Sequence, residues 1–449
     1  MEKRGNFTSK LGMILASAGS AVGLGNVWRF PTEVGNNGGA AFILIYLCCV
    51  AFVGIPVMIS EFLIGRHAKT NAVTAFRQLA PGTPWRWQGV ASVFTAFIIL
   101  SYYVVVAGWT LFYLIHSLSG SLAQSKDYAH VFNSFVTNPW QPVLYAVLFM
   151  GMTHWVVVRG VQSGIERCSK VMIPMLLLII GILVVCSFSM PGASEGWRFL
   201  LRPDFSKLNT QVFLSAVGQA FYSLSLAMGC LCTYASYFNK DARLVKTAIS
   251  VSAIDTSVAL LCVLIIFPAV FSMPELTADA GPGLVFITLP NVFQMAFGGM
   301  PAIGYIFSAL FYLLLLLAAL TSSISLHESV SAYVIEAFHV SRRKASVWVS
   351  VVAMILGVGC ALSFGPWSSF TVFGLNLFDL FDYVTSKIIM PLGGIAICLF
   401  TGWYLNRKLV HNELTNDGRI TFRLFRLYIF LIRYFVPVVI TLIFLNGIL

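Results

Sequence analysis

Apolar residues occupy this chain in long blocks separated by short polar segments. Eleven blocks run over about 11–32, 39–65, 88–120, 141–158, 165–189, 210–237, 246–272, 301–337, 345–363, 373–403 and 425–448. Their lengths are near or above the ~20 residues that carry a helix across a hydrocarbon layer. Only structures that satisfy their own backbone can sit there, so the pattern predicts an all-α polytopic membrane protein. Hydrophobic residues make up 58% of the 449 positions and charged residues 10%, against about 25% charged in a soluble domain. Composition therefore removes the soluble alternative. The polar connections are short: 66–87 and 404–424 on one side, 121–139 and 190–209 on the other. Segment 273–300, with its Pro, Gly and apolar patches, reads as a cap over a cavity.

Two blocks are weakened near their middles. "GSAVGLGNVWRFP" (19–31) puts three glycines, Ser20, Asn26 and Arg29 into the first span. "GQAFYSLSLAMGC" (218–230) puts two serines, Ser223 and Ser225, between flanking glycines into the sixth. The breaks lie five spans apart, which predicts two inverted five-helix repeats with broken helices 1 and 6, plus an eleventh helix. Matched breaks point to a site at mid-membrane. Unwinding frees carbonyls for a cation, and half-helix N-termini favour an anion. Close packing through Gly19 and Gly23 is the competing explanation. The domain reading is 1–10, a cytoplasmic N-terminal segment with an inner latch; 11–189, repeat 1; 190–209, an extracellular loop; 210–403, repeat 2 with its cap at 273–300; and 404–449, a cytoplasmic loop and span 11.

The net charge of +11 changes the picture only through its placement. With Met1 in the cytoplasm, 22 of the 28 Lys and Arg residues fall on the cytoplasmic side. The outer loops hold Lys126, Arg198, Arg202 and Lys207, and Arg29 and Lys387 lie inside helices. The basicity thus sets topology and gives no reason to invoke nucleic acid. Eleven spans then place the C-terminus outside, in a multi-pass protein of the cell (inner) membrane surrounded by lipid. The nine cysteines form no CxxC pair, and His327-Glu328 lacks the second histidine of HExxH because position 331 is Ser. Neither a metal centre nor an enzyme is expected. A cleaved leader is not expected either.

Several stretches then occur in order: "AVGLGNVWRFP", "NGGAAF", "GIPVMISEFLIGR", "SYYVVVAGWT", "RGVQSGIE", "GQAFYSLSLAMG", "TYASYF" and "LTSSIS". In these the chain resembles the neurotransmitter:sodium symporter family, in particular its bacterial amino-acid transporters. The resemblance implies a secondary active symporter importing a neutral, apolar or aromatic amino acid with sodium by alternating access. Two sodium sites are implied. One uses the Ala21 carbonyl, Asn26, Ser223 and Asp255. The other uses the carbonyls of Gly19, Val22 and Ala318 with the hydroxyls of Thr321 and Ser322. Back-bonding of the Thr321 and Ser322 hydroxyls to their own helix is the alternative. The implied substrate pocket comprises Ala21, Gly23, Gly25, Ile99, Tyr103, Tyr222, Ser223, Ser225, Met228, Ser322 and Leu326. Tyr103 would bond the substrate carboxylate, and Gly23 would leave room for it.

The same resemblance implies an outer gate of Arg29 and Asp382 with aromatic closure below. It implies an inner latch of Arg4 and Glu336 near Tyr237 and Ser236, and bonds from the frayed sixth span to Glu61. Lys387 is a candidate partner for Asp379 or Asp382. Gly164 and Pro174 mark either local unwinding of span 5 or a simple kink. Asp255 stands where relatives usually have Asn, one turn before Ala259, with Tyr46, Gln219 and Ser223 expected around it. A fixed carboxylate there makes chloride unnecessary. Transport of another small carboxylate-bearing solute, or an ion channel, are the alternatives.

Overall fold

The computed structural model describes residues 5–122, 125, 127–272, 283–296 and 301–448. Among the described residues, nine continuous helices are long and apolar enough to cross a membrane. Spans 2 to 5 are Ala40–Ala68, Arg86–Leu118, Gln141–Val158 and Val161–Ser187. Spans 7 to 11 are Leu244–Phe271, Ala302–Phe338, Arg342–Leu362, Leu377–Tyr404 and Phe425–Gly447. Span 1 is a bent pair, Lys10–Ala21 and Gly25–Asn36, turning by 56° at the break. Span 6 is split into Thr210–Ser223 and Cys230–Ala235. The protein is thus an all-α membrane protein with its first and sixth helices interrupted.

The two breaks have different local causes. In span 1, Val22 is extended (ψ 113°) and ends the first half-helix. A Cβ on Gly23 would lie 2.6 Å from Ser322 Oγ and 3.2 Å from Tyr103 Oη, so only glycine fits. In span 6, Ser225 (φ 52°) and Ala227 (φ 63°) join Gly229 (φ 74°) in the left-handed region. Two side-chain-bearing residues there require support from outside the segment. Glu61 supplies part of it, accepting the Ala227 N–H at 2.7 Å. Ser225 supplies more, its hydroxyl donating to the Ser20 carbonyl at 2.8 Å. Each break thereby holds the other.

Small residues bring the remaining helices close, as expected where lipid gives no hydrophobic drive for helix association. A Cβ on Gly108 of span 3 would meet the Ala146 backbone at 2.7 Å, and one on Gly65 of span 2 would overlap the Cys232 carbonyl. The polar connections are more structured than the sequence suggests. They contain helices Ala72–Leu79, Tyr128–Val136, Ala193–Leu201 and Arg407–Thr415. Asn71 caps the first of these and Asp127 the second. Within the expected cap at 273–300, residues 283–296 are helical. Residues 273–282 and 297–300 lie outside the described residues, as do Arg4 and Lys126. Span 5 remains helical from Val161 to Ser187, with a wide turn at Val161–Glu166 and Pro174 inside the helix.

Candidate functional site

The eleven residues named for a substrate pocket all line one small cavity of about 40 Å³, together with Ser20 and Leu24. Both breaks contribute to its wall, and span 3 adds Ile99 and Tyr103 while span 8 adds Ser322 and Leu326. Above it lies a cavity of about 240 Å³ whose lining includes Trp28, Arg29, Tyr102, Phe378, Asp382 and Lys387. Leu24, Gly25, Tyr103 and Tyr222 line both. The Arg29 guanidinium sits 4.4 Å from the centre of the Tyr222 ring, a cation–π contact at the divide. Leu24 N–H points at Tyr103 Oη, 3.4 Å away.

Oxygen-rich clusters flank the small cavity. In the first, Asn26 Nδ2 donates to Asp255 Oδ1 at 2.7 Å and to the Asp255 carbonyl at 3.1 Å. Ser223 Oγ donates to Asp255 Oδ2 at 2.8 Å. The Gly23 N–H turns to Asn26 Oδ1 at 2.9 Å, which fixes the amide orientation. Asp255 is wholly buried and, among the described residues, pairs with no cationic side chain, a costly placement without a counter-charge. Among the described residues, buried Tyr46 Oη, Thr256 Oγ1 and both polar atoms of the Gln219 side chain have no hydrogen-bond partner.

In the second cluster, Ser322 Oγ donates to the Val22 carbonyl at 2.9 Å, with the Gly19 carbonyl 3.5 Å away. Thr321 Oγ1 lies 3.3 Å from the Val22 carbonyl and 3.0 Å from the Ala318 carbonyl. Thr321 also lies 3.2 Å from the Leu317 carbonyl, so its hydroxyl shares in back-bonding to its own helix. Three carbonyls and two hydroxyls therefore converge between spans 1 and 8. Such an all-oxygen set suits a hard cation.

The gates differ from their expected pairings. Arg29 and Asp382 line the same cavity without an ion pair: Asp382 instead accepts from Tyr102 Oη at 3.0 Å. Lys387 forms no ion pair with Asp379 or Asp382, which corrects that expectation. It faces the larger cavity, and Asp379 is engaged in capping its own helix through Asn376. At the opposite end, Glu336 accepts from Asn71, and Tyr237 donates to Glu328 at 2.6 Å. Arg342 forks onto the same Glu328 at 2.6 and 2.8 Å.

Sequence reasoning missed the densest fastening of that end. Glu166 accepts the Thr8 N–H and hydroxyl, each at 2.7 Å, and the Ser9 hydroxyl at 3.0 Å, while Lys170 pairs with it at 2.7 Å. Phe7 is packed among Tyr234, Tyr237 and Phe238, and its N–H bonds the Tyr237 carbonyl. The signal was an acid in the "RGVQSGIE" stretch at a span end, one helical turn before Lys170. Residues 7–9 are thus fastened to span 5 and to the end of span 6.

Two interrupted helices enclosing a small cavity between oxygen clusters define a secondary transporter of the inverted-repeat type. Comparison with known proteins is more specific. The model of the sodium:neurotransmitter symporter family matches residues 4–139 and 136–449. An uncharacterized sodium-dependent transporter of Bacillus subtilis, YhdH, is 38% identical over 448 residues, covering 99% of this chain and 98% of the relative. The human sodium- and chloride-dependent GABA transporter 2 is 26% identical, covering 92% and 75%. The crystal structure of MhsT in complex with L-phenylalanine is 42% identical, with a TM-score of 0.91, over 99% of this chain and all of that one. The chain belongs to the sodium:neurotransmitter symporter family.

Proposed function

We propose that this symporter imports a neutral, apolar or aromatic amino acid with two sodium ions, by alternating access and without chloride. The observation that carries this reading is that both oxygen clusters and the small cavity share the break in span 1. The cavity pairs apolar walls, Ile99, Met228 and Leu326, with aromatic Tyr103 and Tyr222. Gly23 and the Tyr103 hydroxyl stand together on the cavity wall, where a substrate carboxylate would complete the cation site at Asn26, Ser223 and Asp255. The phenylalanine bound to MhsT supports an amino acid as cargo.

Arg29 and Asp382 would close over the loaded cavity, and release would require Phe7, Thr8 and Ser9 to leave their seats. The latch of Arg4 with Glu336 belongs to that second event. The basic loops place the N-terminus in the cytoplasm and the C-terminus outside the cell membrane. Each sodium ion entering down 100 mV contributes about 2.3 kcal/mol, enough for two ions to drive substantial accumulation. Asp255 supplies the negative charge that chloride would otherwise bring.

The test is counterflow of radiolabelled amino acids in proteoliposomes, with and without sodium. Sodium-dependent exchange of apolar amino acids is expected, and Gly23→Asp abolishes it by filling the carboxylate space. Sodium-independent exchange, or full activity in that variant, would overturn the reading.

A further inference from the structure

A crevice of about 580 Å³, distinct from the two cavities described above, opens between the start of span 3 and the middle of span 10. Its lining includes Trp85, Trp87, Ala91, Leu392 and Ala396, with Gln88 deeper inside. Trp87 is 60% exposed and Leu392 44%, so the crevice faces the bilayer. Its inner end reaches the sixth-span break. Gln88 is buried and donates to Ser92 Oγ at 3.2 Å. A Cβ on Gly393 would lie 3.2 Å from both Gln88 Nε2 and the Ala227 Cβ.

The rim carries a complementary feature. Arg86 is exposed, and its guanidinium lies over the Trp87 ring at 5.2 Å. Among the described residues it has no acidic partner. Trp85 is pinned against Phe400 and Tyr404 of span 10, which holds the two walls of the crevice together. An apolar slot open to lipid, an aromatic rim and an unpaired arginine together match an acyl chain continuing into an anionic headgroup.

We propose that this crevice binds one anionic phospholipid, an acyl chain lying along Ala91 and Leu392 and the phosphate paired with Arg86. A free phosphate would engage Arg86 alone and leave the apolar slot unused, so the occupant is the lipid. Through Gln88 and Gly393 the lipid tail braces the backbone at Ala227, which ties occupancy of the crevice to the set of the sixth-span break.

The experiment is native mass spectrometry of the purified full chain titrated with phosphatidylglycerol or phosphatidylcholine of the same acyl chains. The wild type binds one phosphatidylglycerol more tightly than any further copy. Arg86→Gln weakens that event about fivefold, the effect of one basic residue at a lipid surface, and leaves phosphatidylcholine unchanged. Ala91→Trp fills the slot and removes the tight event; Leu392→Trp fills it from the other wall if the first variant does not fold. Wild-type phosphatidylglycerol binding in both the Arg86→Gln and a slot-filling variant would overturn the proposal. Equal weakening of both lipids in Arg86→Gln would do so too. Lipid is read by mass, so the result stands apart from whether amino acids are transported.

Discussion

Asn26 and Asp255 meet across the break in span 1, the amide of one donating to the carboxylate of the other at 2.7 Å. A side chain from the first repeat thus reaches an acid in the second, and both repeats contribute oxygens to one centre. Among the described residues no cationic side chain pairs with Asp255, and under the proposed function that charge would offset a bound ion.

Uptake by the wild type is expected to be the same when gluconate replaces chloride. Asp255→Asn keeps the shape and removes the charge. That variant should transport more slowly and recover in part when chloride is restored. Chloride dependence of the wild type, or a fully active and chloride-indifferent variant, would contradict the assignment.

Thr321→Val keeps the branched shape at the second cluster and deletes its oxygen. A polar contact to a charged partner is worth ~1.5–3 kcal/mol, so the sodium affinity should fall about tenfold or more. Sodium titration of substrate binding reads this directly. An unchanged curve in a well-folded variant would leave Thr321 with only its bonds to Leu317 and Ala318.

Arg29→Ala removes the cation over the Tyr222 ring and the charge facing Asp382. Equilibrium substrate binding should change little, because Arg29 does not line the smaller cavity. Transport should drop severalfold or more. Full transport by this variant would remove Arg29 from the gate.

Outside the membrane, Glu413 ties helix Arg407–Thr415 to Arg66 at 2.6 Å and to His67 at 2.9 Å. Burial alone would raise its pKa, but the His67 hydrogen bond and the Arg66 charge outweigh that and hold it below the ordinary carboxylate value of 4.5. A lowered folded-state value means the stabilisation is complete above the unfolded value. It is lost as pH falls through the folded one. Thermal melts should show Glu413→Gln less stable than the wild type at neutral pH, with the gap closing below about pH 4. A gap that is constant with pH would show that the charge is not what holds the loop.

The breaks and their polar residues were legible because glycine, serine and asparagine are costly in the middle of an apolar span and stand out there. The clustering of Asn26, Ser223 and Asp255 was implied by the family resemblance rather than by the pattern itself. Pairings between charged side chains were less legible. Arg29 and Asp382 face one cavity yet remain apart, and Lys387 lines it without pairing with Asp379 or Asp382, because such contacts depend on helix rotation and on which end of the path is open. Glu166 escaped notice for a different reason. Its donors, Thr8 and Ser9, lie more than 150 residues away and are neutral, so no pattern of opposite charges announces them. The crevice beside Gln88 depends on two helices failing to pack, which no one-dimensional pattern records.

The stretch from Gly19 to Asn26 has a consequence for the arithmetic of coupling. It gives the Gly19 and Val22 carbonyls to one cluster, the Asn26 side chain to the other, and Gly23 to the cavity between. A cation at either end would stiffen the same eight residues that the other end needs ordered. The ordering entropy would then be met once and shared. Reciprocity requires that whatever factor the first ion adds to the affinity of the second, the second adds to the first. A short ribbon of backbone would thus act as a common ledger for both ions and their cargo, making partial loads scarce without any contact between the ions themselves.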